Sequence, residues 1–328
     1  MSLPRYPGEG PRDLSKPLEQ VRVLVDARTA GQRLDLALAA VLTWRSRSSI
    51  ARMIADGMVR LQGRVVPPSR KVRVGDTIEV DVPQDPVPQP RPDAQFDLPI
   101  LYEDECVIAV DKPPGMAVHP SGRHLHGTLI HELHRRYRRP DEPEYDVVPR
   151  LLHRIDMETS GVIAIGLDEQ FHHQVRKQFE DRLVQKGYLA VVHGRPEEPA
   201  GVIDRGIVPD KRSAVRLKLT TCAPGEGQSA LTNYRVVRSN DRFSLVELRP
   251  ETGRTHQIRV HLSEQHWPIV GDPIYGPRRA KAGRTMLHAA ILELTHPISG
   301  ARERFEAPFP EDFRKVARRL KLQLPELR

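Results

Sequence analysis

The sequence predicts an α+β protein with a small N-terminal domain and a larger one behind it. Three observations carry this. CVIAV (106–110), GVIAIGL (161–167) and KGYLAVVHG (186–194) read as core strands, with a helical pattern between the last two. Residues 33–82 hold a compact helix, helix, strand, strand pattern. PQDPVPQPRPD (83–93) parts the two regions with an extended, proline-stiffened spacer. A length of 328 residues is enough for two domains and at least one sizeable core.

The opening residues, 1–19, have no apolar h-region and read as a mobile tail rather than a secretory signal. No apolar run approaches the ~20 residues of a membrane helix. Cys106 and Cys222 are the only cysteines, too few for a disulfide framework or a thiolate metal cluster, which fits the cytoplasm.

In the first domain, 20–82, Leu34, Leu38 and Val41 recur at helical spacing. Ser46 to Ser49 offer caps for a second helix that turns Ile50, Met53 and Ile54 to one side, and Gly57 ends it in a left-handed turn. MVRLQG and DTIEVDV alternate as short strands. The charge concentrates here. Residues 45–73 hold eight Lys or Arg (45, 47, 52, 60, 64, 70, 71, 73) against one acid, Asp56, a surplus close to the whole chain's net +8. Such a patch is the electrostatic footprint of phosphate binding, with Arg45, Arg47, Arg52, Arg60, Arg70 and Lys71 as candidate phosphate contacts. QRLDLALA, SRSSIARMIADGMVRLQG and VRVGDTIEV together resemble the S4 RNA-binding domain, with Gln62 where that family usually has Asn.

The larger domain spans 97–328, after a linker at 83–96. Lys112-Pro-Pro-Gly breaks the chain after CVIAV. DEQFHHQVRKQFEDRL (168–183) is amphipathic, and Phe171, Val175, Phe179 and Leu183 are expected in the core. HLHGTLIHELHRRY (124–137) lacks the second histidine of H-E-x-x-H, since position 135 is Arg135. It reads as a solvated helix face, and no metal is expected. No G-x-S-x-G elbow supports a hydrolase.

Asp156 stands on a loop before a buried strand, in LLHRIDMETSGVIAIG (151–166). Asp before Thr-Ser-Gly is ordinary turn chemistry, and a loop held by core strands is also where catalytic groups sit. In RPETGRTHQIRVHLSEQHWPIVGDPIYG (249–276), Thr255 is expected to cap a short helix carrying Arg259. A buried guanidinium needs a carboxylate, and Asp156 and Arg259 can satisfy each other.

HRIDMETSG, KGYLAVVHG, SALTNY and TGRTHQIRVH with GDPIYG resemble the RluA-type pseudouridine synthases over about 97–310, as does ILYEDECVIAVDKPPGMAVHP. The resemblance implies a catalytic domain with a central mixed, mostly antiparallel sheet flanked by helices. It implies isomerisation of uridine in RNA: the N1–C1′ bond is cut, the base turns and C5 joins C1′, with no redox cofactor or ATP. It assigns Asp156, Tyr188 and Arg259 as catalytic, with Tyr188 against the base face. His153, Arg154, Thr159, Arg254, His256 and Gln257 become substrate-binding candidates. Glu158 reads as an exposed loop acid. Asp156 either attacks C1′ or acts through a glycal; both routes stay open. The order S4, spacer, catalytic domain is similar to members acting on large-subunit ribosomal RNA. Transfer RNA, or a non-catalytic role in RNA binding or ribosome assembly, is the alternative. A monomer is expected because no coiled-coil seam appears.

Overall fold

A computed structural model describes residues 20–42, 47–82, 98–120, 127–215, 217–223, 225–277 and 282–326. The tail 1–19, Arg45, Ser46 and the proline-rich spacer at 83–93 lie outside the described residues. The chain divides into two compact units, residues 1–96 with 119–148, and 97–118 with 149–328. The segment 119–148, expected in the larger domain, thus groups with the first unit.

The first unit holds β1 (Gln20–Leu24), α1 (Leu34–Val41), α2 (Arg47–Ala55), β2 (Val59–Leu61), β3 (Arg64–Val65) and β4 (Thr77–Asp81). The strands form an antiparallel sheet in the order β1-β4-β2-β3. Leu34 and Leu38 of α1 and Ile50, Met53 and Ile54 of α2 share one core with Val21, Val23, Val59, Ile78 and Val80, as their spacing predicts. Gly57, at φ 74°, supplies the expected left-handed turn after α2. Gln62 and Gly63 link β2 to β3 at φ 51° and 73°. A two-residue hairpin loop with both φ positive is a type I′ turn. Asn takes the first position more readily than Gln, a physical reason for the Asn that the S4 domain usually has where this chain has Gln62.

The same unit carries α3 (Leu129–Tyr137). Its histidines are not a solvated face: His131, Glu132 and His134 are all buried. His131 Nδ1 lies 2.6 Å from Thr128 Oγ1, and Arg135 donates to Glu132 at 2.7 Å. The polar groups are buried with partners, so helical periodicity in polar letters misstates the exposure.

The second unit contains β5 (Ile100–Glu103), β6 (Val107–Lys112), β7 (Arg150–Leu151), β8 (Ser160–Gly166), α4 (Glu169–Glu180), β9 (Gln185–His193) and β10 (Ala200–Asp204). It continues with β11 (Gly206–Pro209), β12 (Leu219–Cys222), β13 (Leu231–Ser239), β14 (Phe243–Pro250), α5 (Gln257–Glu264), β15 (Leu287–Thr295), β16 (Arg302–Glu306) and α6 (Glu311–Arg319). Ten strands make one sheet, with the path β10-β13-β14-β9-β15-β8-β6-β5, β16 on β15 and β7 on β8. Every pairing in it is antiparallel except β15 with β8, so the predicted mixed, mostly antiparallel sheet is present. One core joins β9, β14 and β15 to Ile258 and Leu262 of α5 and Phe313 and Val316 of α6. A second joins β6 and β8 to Phe171 and Val175 of α4.

All seven residues of β8 are buried. Gly161 sits inside this strand at φ 113°, where a Cβ would lie 2.1 Å from the Ala289 carbonyl oxygen. Only glycine allows β8 and β15 to approach so closely. Helix α4 is capped by Asp168, whose Oδ1 accepts from Phe171 N at 2.7 Å, and it ends at Glu180. Leu183 therefore falls past the helix and is 57% exposed, contrary to its expected place in the core.

Candidate active site

Strand β8 is entered through the loop 152–159, and that entry fixes Asp156. The Asp156 carbonyl accepts from Thr159 N at 3.1 Å, closing the turn. Helix α5 supplies the facing guanidinium. Thr255 does not cap it; the N-cap is His256, in the left-handed region at φ 55°. The Thr255 hydroxyl instead accepts from Arg154 Nη2 at 3.0 Å. A non-glycine residue held left-handed is a local cost, and such costs gather at functional sites.

Arg259, on α5, donates from Nη1 to Asp156 Oδ2 at 3.0 Å, the pairing that the sequence predicts. Its larger contact is with another acid. Nε and Nη2 donate to the two oxygens of Asp272 at 2.6 and 2.9 Å. Burial alone would push the guanidinium pKa down; Asp272, then Asp156, outweigh that and raise it, so Arg259 stays charged. Burial likewise opposes ionised Asp272, but the Arg259 bonds and the backbone N–H groups of Ile274 and Tyr275 hold its carboxyl below the ordinary range. The guanidinium also lies over the Tyr275 ring, 5.3 Å from its centroid.

Two further buried cations fasten the loop from behind. Lys112, fully buried at the end of β6, donates to the carbonyls of Pro113, Met116 and Met157 at 2.7, 2.9 and 3.0 Å. Burial pushes its pKa down to about 7. The three carbonyl acceptors favour the ammonium, which alone has three donors to give. Arg284 donates to the Glu158 carbonyl at 3.2 Å and to Ser160 Oγ at 3.2 Å, and it grips Asp312 of α6 through Nε and Nη2. Glu158 is partly buried rather than exposed.

Around Asp156 opens a cleft of about 500 Å³. Tyr188, half-buried on β9, lines it; burial, then the Asp156 charge, push its phenol above the ordinary range, so it stays neutral. Thr159 lines it too and is 1% exposed, and its Oγ1 has no hydrogen-bond partner among the described residues. His256 Nδ1 lies 3.1 Å from the Tyr275 hydroxyl. Arg154 and Arg254 are exposed on the cleft wall, the latter donating to the Ser229 carbonyl at 3.0 Å.

Two candidates stand differently from expectation. His153 lines the cleft, but its Nε2 accepts from Ala164 N at 3.1 Å and burial pushes its pKa down to about 3, so it is a neutral ring committed to β8. Gln257 spends its whole amide inside the protein: Oε1 accepts from Thr252 and Arg254, and Nε2 donates to Leu231 and Thr232. Neither of its donors is left for a substrate. Phe179 packs half-buried against the core, as expected, and its other side lines the cleft, stacked on His153 with centroids 5.2 Å apart.

Asp104, Cys106 and His296 are the one group of three potential metal ligands among the described residues, and they lie outside the cleft. Asp104 already accepts from the backbone of Cys106 and Val107, from Tyr102 OH and from His296 Nε2. Those bonds describe a satisfied structural corner.

In the first unit Arg52, Arg64, Arg70, Lys71 and Arg73 are exposed. Arg60 is committed to Asp81 at 2.7 Å, and Arg47 lies 3.9 Å from Asp35. Arg45 lies outside the described residues.

Comparison with known proteins identifies the family. Residues 106–264 match the family model "RNA pseudouridylate synthase", and residues 32–78 match the S4 domain. An uncharacterized RNA pseudouridine synthase of Bacillus subtilis is 35% identical over 309 residues, covering 93% of this chain and 99% of that one. The chain belongs to the RNA pseudouridine synthases. The synthase is also 36% identical over 320 residues to the ribosomal large subunit pseudouridine synthase D of Zymomonas mobilis, covering 93% and 98% of the two chains. Among solved structures, human RNA pseudouridylate synthase domain containing 4 superposes with a TM-score of 0.55 at 29% identity, over 70% of the synthase and 95% of the human chain.

The sequence reading missed Asp272, Lys112 and Arg284 as parts of the site. Asp272 stands inside a quoted motif, GDPIYG, and Lys112 ends an apolar run, where an unpaired cation is costly. Arg284 carries no comparable local signal.

Proposed function

We propose that the synthase converts uridine in large-subunit ribosomal RNA to pseudouridine with the Asp156 carboxylate as its reacting group, in the cytoplasm. The single observation that carries this is Asp156 at the cleft, one oxygen 3.0 Å from a buried guanidinium and 29% of its side chain still exposed. That exposure leaves a carboxylate oxygen to reach ribose C1′, as a nucleophile or by the glycal route. The target base must leave its stack, at a cost of a few kcal/mol.

Each wall residue has a role in this reading. Tyr188 offers a neutral ring to the face of the base. Thr159 Oγ1, without a partner among the described residues, hydrogen-bonds a polar edge of the uracil. Arg154, tied only to Thr255 Oγ1 among the described residues, fills the vacated stack or grips a phosphate. The cleft keeps water from C1′, where capture would leave an abasic site. During the reaction C5 loses its proton as N1 gains one, so nothing is consumed. The first unit adds affinity through phosphates, by Arg52, Arg70 and Lys71 above all, with Arg45, Arg47 and Arg60 contributing. Relatives named for the ribosomal large subunit support the RNA class.

Mapping pseudouridine in the total RNA of a deletion strain tests this. At least one large-subunit position should lose the modification, regain it with the wild-type gene and stay unmodified with Asp156→Asn. No lost position, or rescue by the variant, contradicts the reading.

A further inference from the structure

We infer that Asp272 is a positioning residue for the isomerisation, acting on Asp156 only through Arg259. It rests on the reading of Asp156 as the reacting group. Asp272 does not line the cleft, and its side chain has 0% exposure, so it touches no substrate. It is itself immobile: Oδ1 accepts from the backbone N–H groups of Ile274 and Tyr275 at 2.9 and 3.1 Å. From that fixed base both oxygens take the Nε–Nη2 edge of Arg259. A guanidinium is planar and rigid, so fixing that edge fixes the direction of Nη1. Nη1 is the atom that reaches Asp156.

The arrangement also divides charge. One cation serves two carboxylates, so Asp156 receives a single hydrogen bond and part of a positive charge. Without Asp272, the same guanidinium is free to turn both its donors onto Asp156, a two-point grip that quenches the oxygen needed at C1′. A carboxylate too tightly paired is a poor nucleophile or base. His256, Arg154, Lys112, Tyr188 and Tyr275 stand among the charged and titratable surroundings of Asp156 and Arg259, and the two-point contact with Asp272 is made by Arg259.

The experiment is single-turnover tritium release from transcribed, unmodified large-subunit ribosomal RNA labelled at uridine C5, with RNA affinity measured on the same proteins. Asp272→Asn should slow release about 100-fold while affinity stays within about twofold. In an Arg259→Lys background, which keeps the charge and abolishes the fork, adding Asp272→Asn should cost about twofold or less. Full additivity of the two substitutions, or loss of affinity and rate together, would overturn the inference. Should Asp272→Asn fail to fold, Asp272→Glu keeps the charge with a longer reach. It should be slowed with affinity retained, and a wild-type rate would refute the role. Absence of release by the wild type would count against the substrate assigned to the synthase, not against the positioning. In that case exchange of the Arg259 Nε proton decides: it should stay slow in Asp156→Asn and become fast in Asp272→Asn, and equal rates overturn the proposal.

Discussion

Thr159 holds a hydroxyl buried against the cleft with no partner among the described residues. An unsatisfied buried polar atom costs about 1–3 kcal/mol. Thr159→Val, nearly the same shape, should therefore raise thermal stability by about 1 kcal/mol and slow the enzyme about tenfold. Differential scanning calorimetry beside a tritium-release assay checks both; a destabilised or fully active variant contradicts the role. His288 gives a residue-scale pH effect. It is fully buried on β15, its Nδ1 3.0 Å from Ser160 Oγ and its Nε2 3.1 Å from the Ala307 carbonyl. Burial pushes its pKa down to about 4. The unfolded chain therefore binds the extra proton first. The stability that His288 contributes is complete above its ordinary value near 6.5 and is lost as pH falls towards 4, at up to about 1.4 kcal/mol per unit. Calorimetry from pH 7 to 4 should show a shallower decline for His288→Gln, and an equal slope would contradict the assignment.

At the scale of elements, one short loop is held by three cations from separate places. Arg259 comes from α5, Lys112 from β6 and Arg284 from just before β15. Lys112→Met removes the donor shared by three carbonyls and should destabilise the synthase by about 3 kcal/mol, measured by denaturant unfolding; a loss under about 1 kcal/mol would contradict the anchoring role. Why the sequence reveals some of this and not the rest is a matter of distance along the chain. Strands β6, β8 and β9 are legible because burial of an apolar run is a local pattern. Asp156 with Arg259 is legible only by charge logic and resemblance, since 103 residues separate them. Lys112 to Met157 spans 45 residues and Arg284 to Glu158 spans 126, and no periodicity encodes such pairs. Phe179 is legible in part. Its i,i+4 spacing from Val175 puts it on the apolar face, where it packs against the core, but it comes a turn later, where that face also meets the cleft.

On the scale of the whole molecule, chemistry and affinity are assigned to different units. The first unit carries Arg52, Arg70 and Lys71 in the open, and the second carries Asp156. Replacing Arg70 and Lys71 together by Gln should weaken RNA binding and flatten the plot of log affinity against log salt by about 1 to 1.5, near 0.7 for each single-strand phosphate contact. The rate at saturating RNA should not change. A filter-binding series across salt concentrations checks this, and an unchanged slope would remove the S4-like segment from the phosphate-binding account.

The most direct measurement is tritium release from uridine C5 under single turnover, wild type against Asp156→Asn, with RNA binding followed in parallel. The wild type should release tritium, the variant should release none, and both should bind RNA equally. Release at the same rate from both proteins would contradict Asp156 as the reacting group.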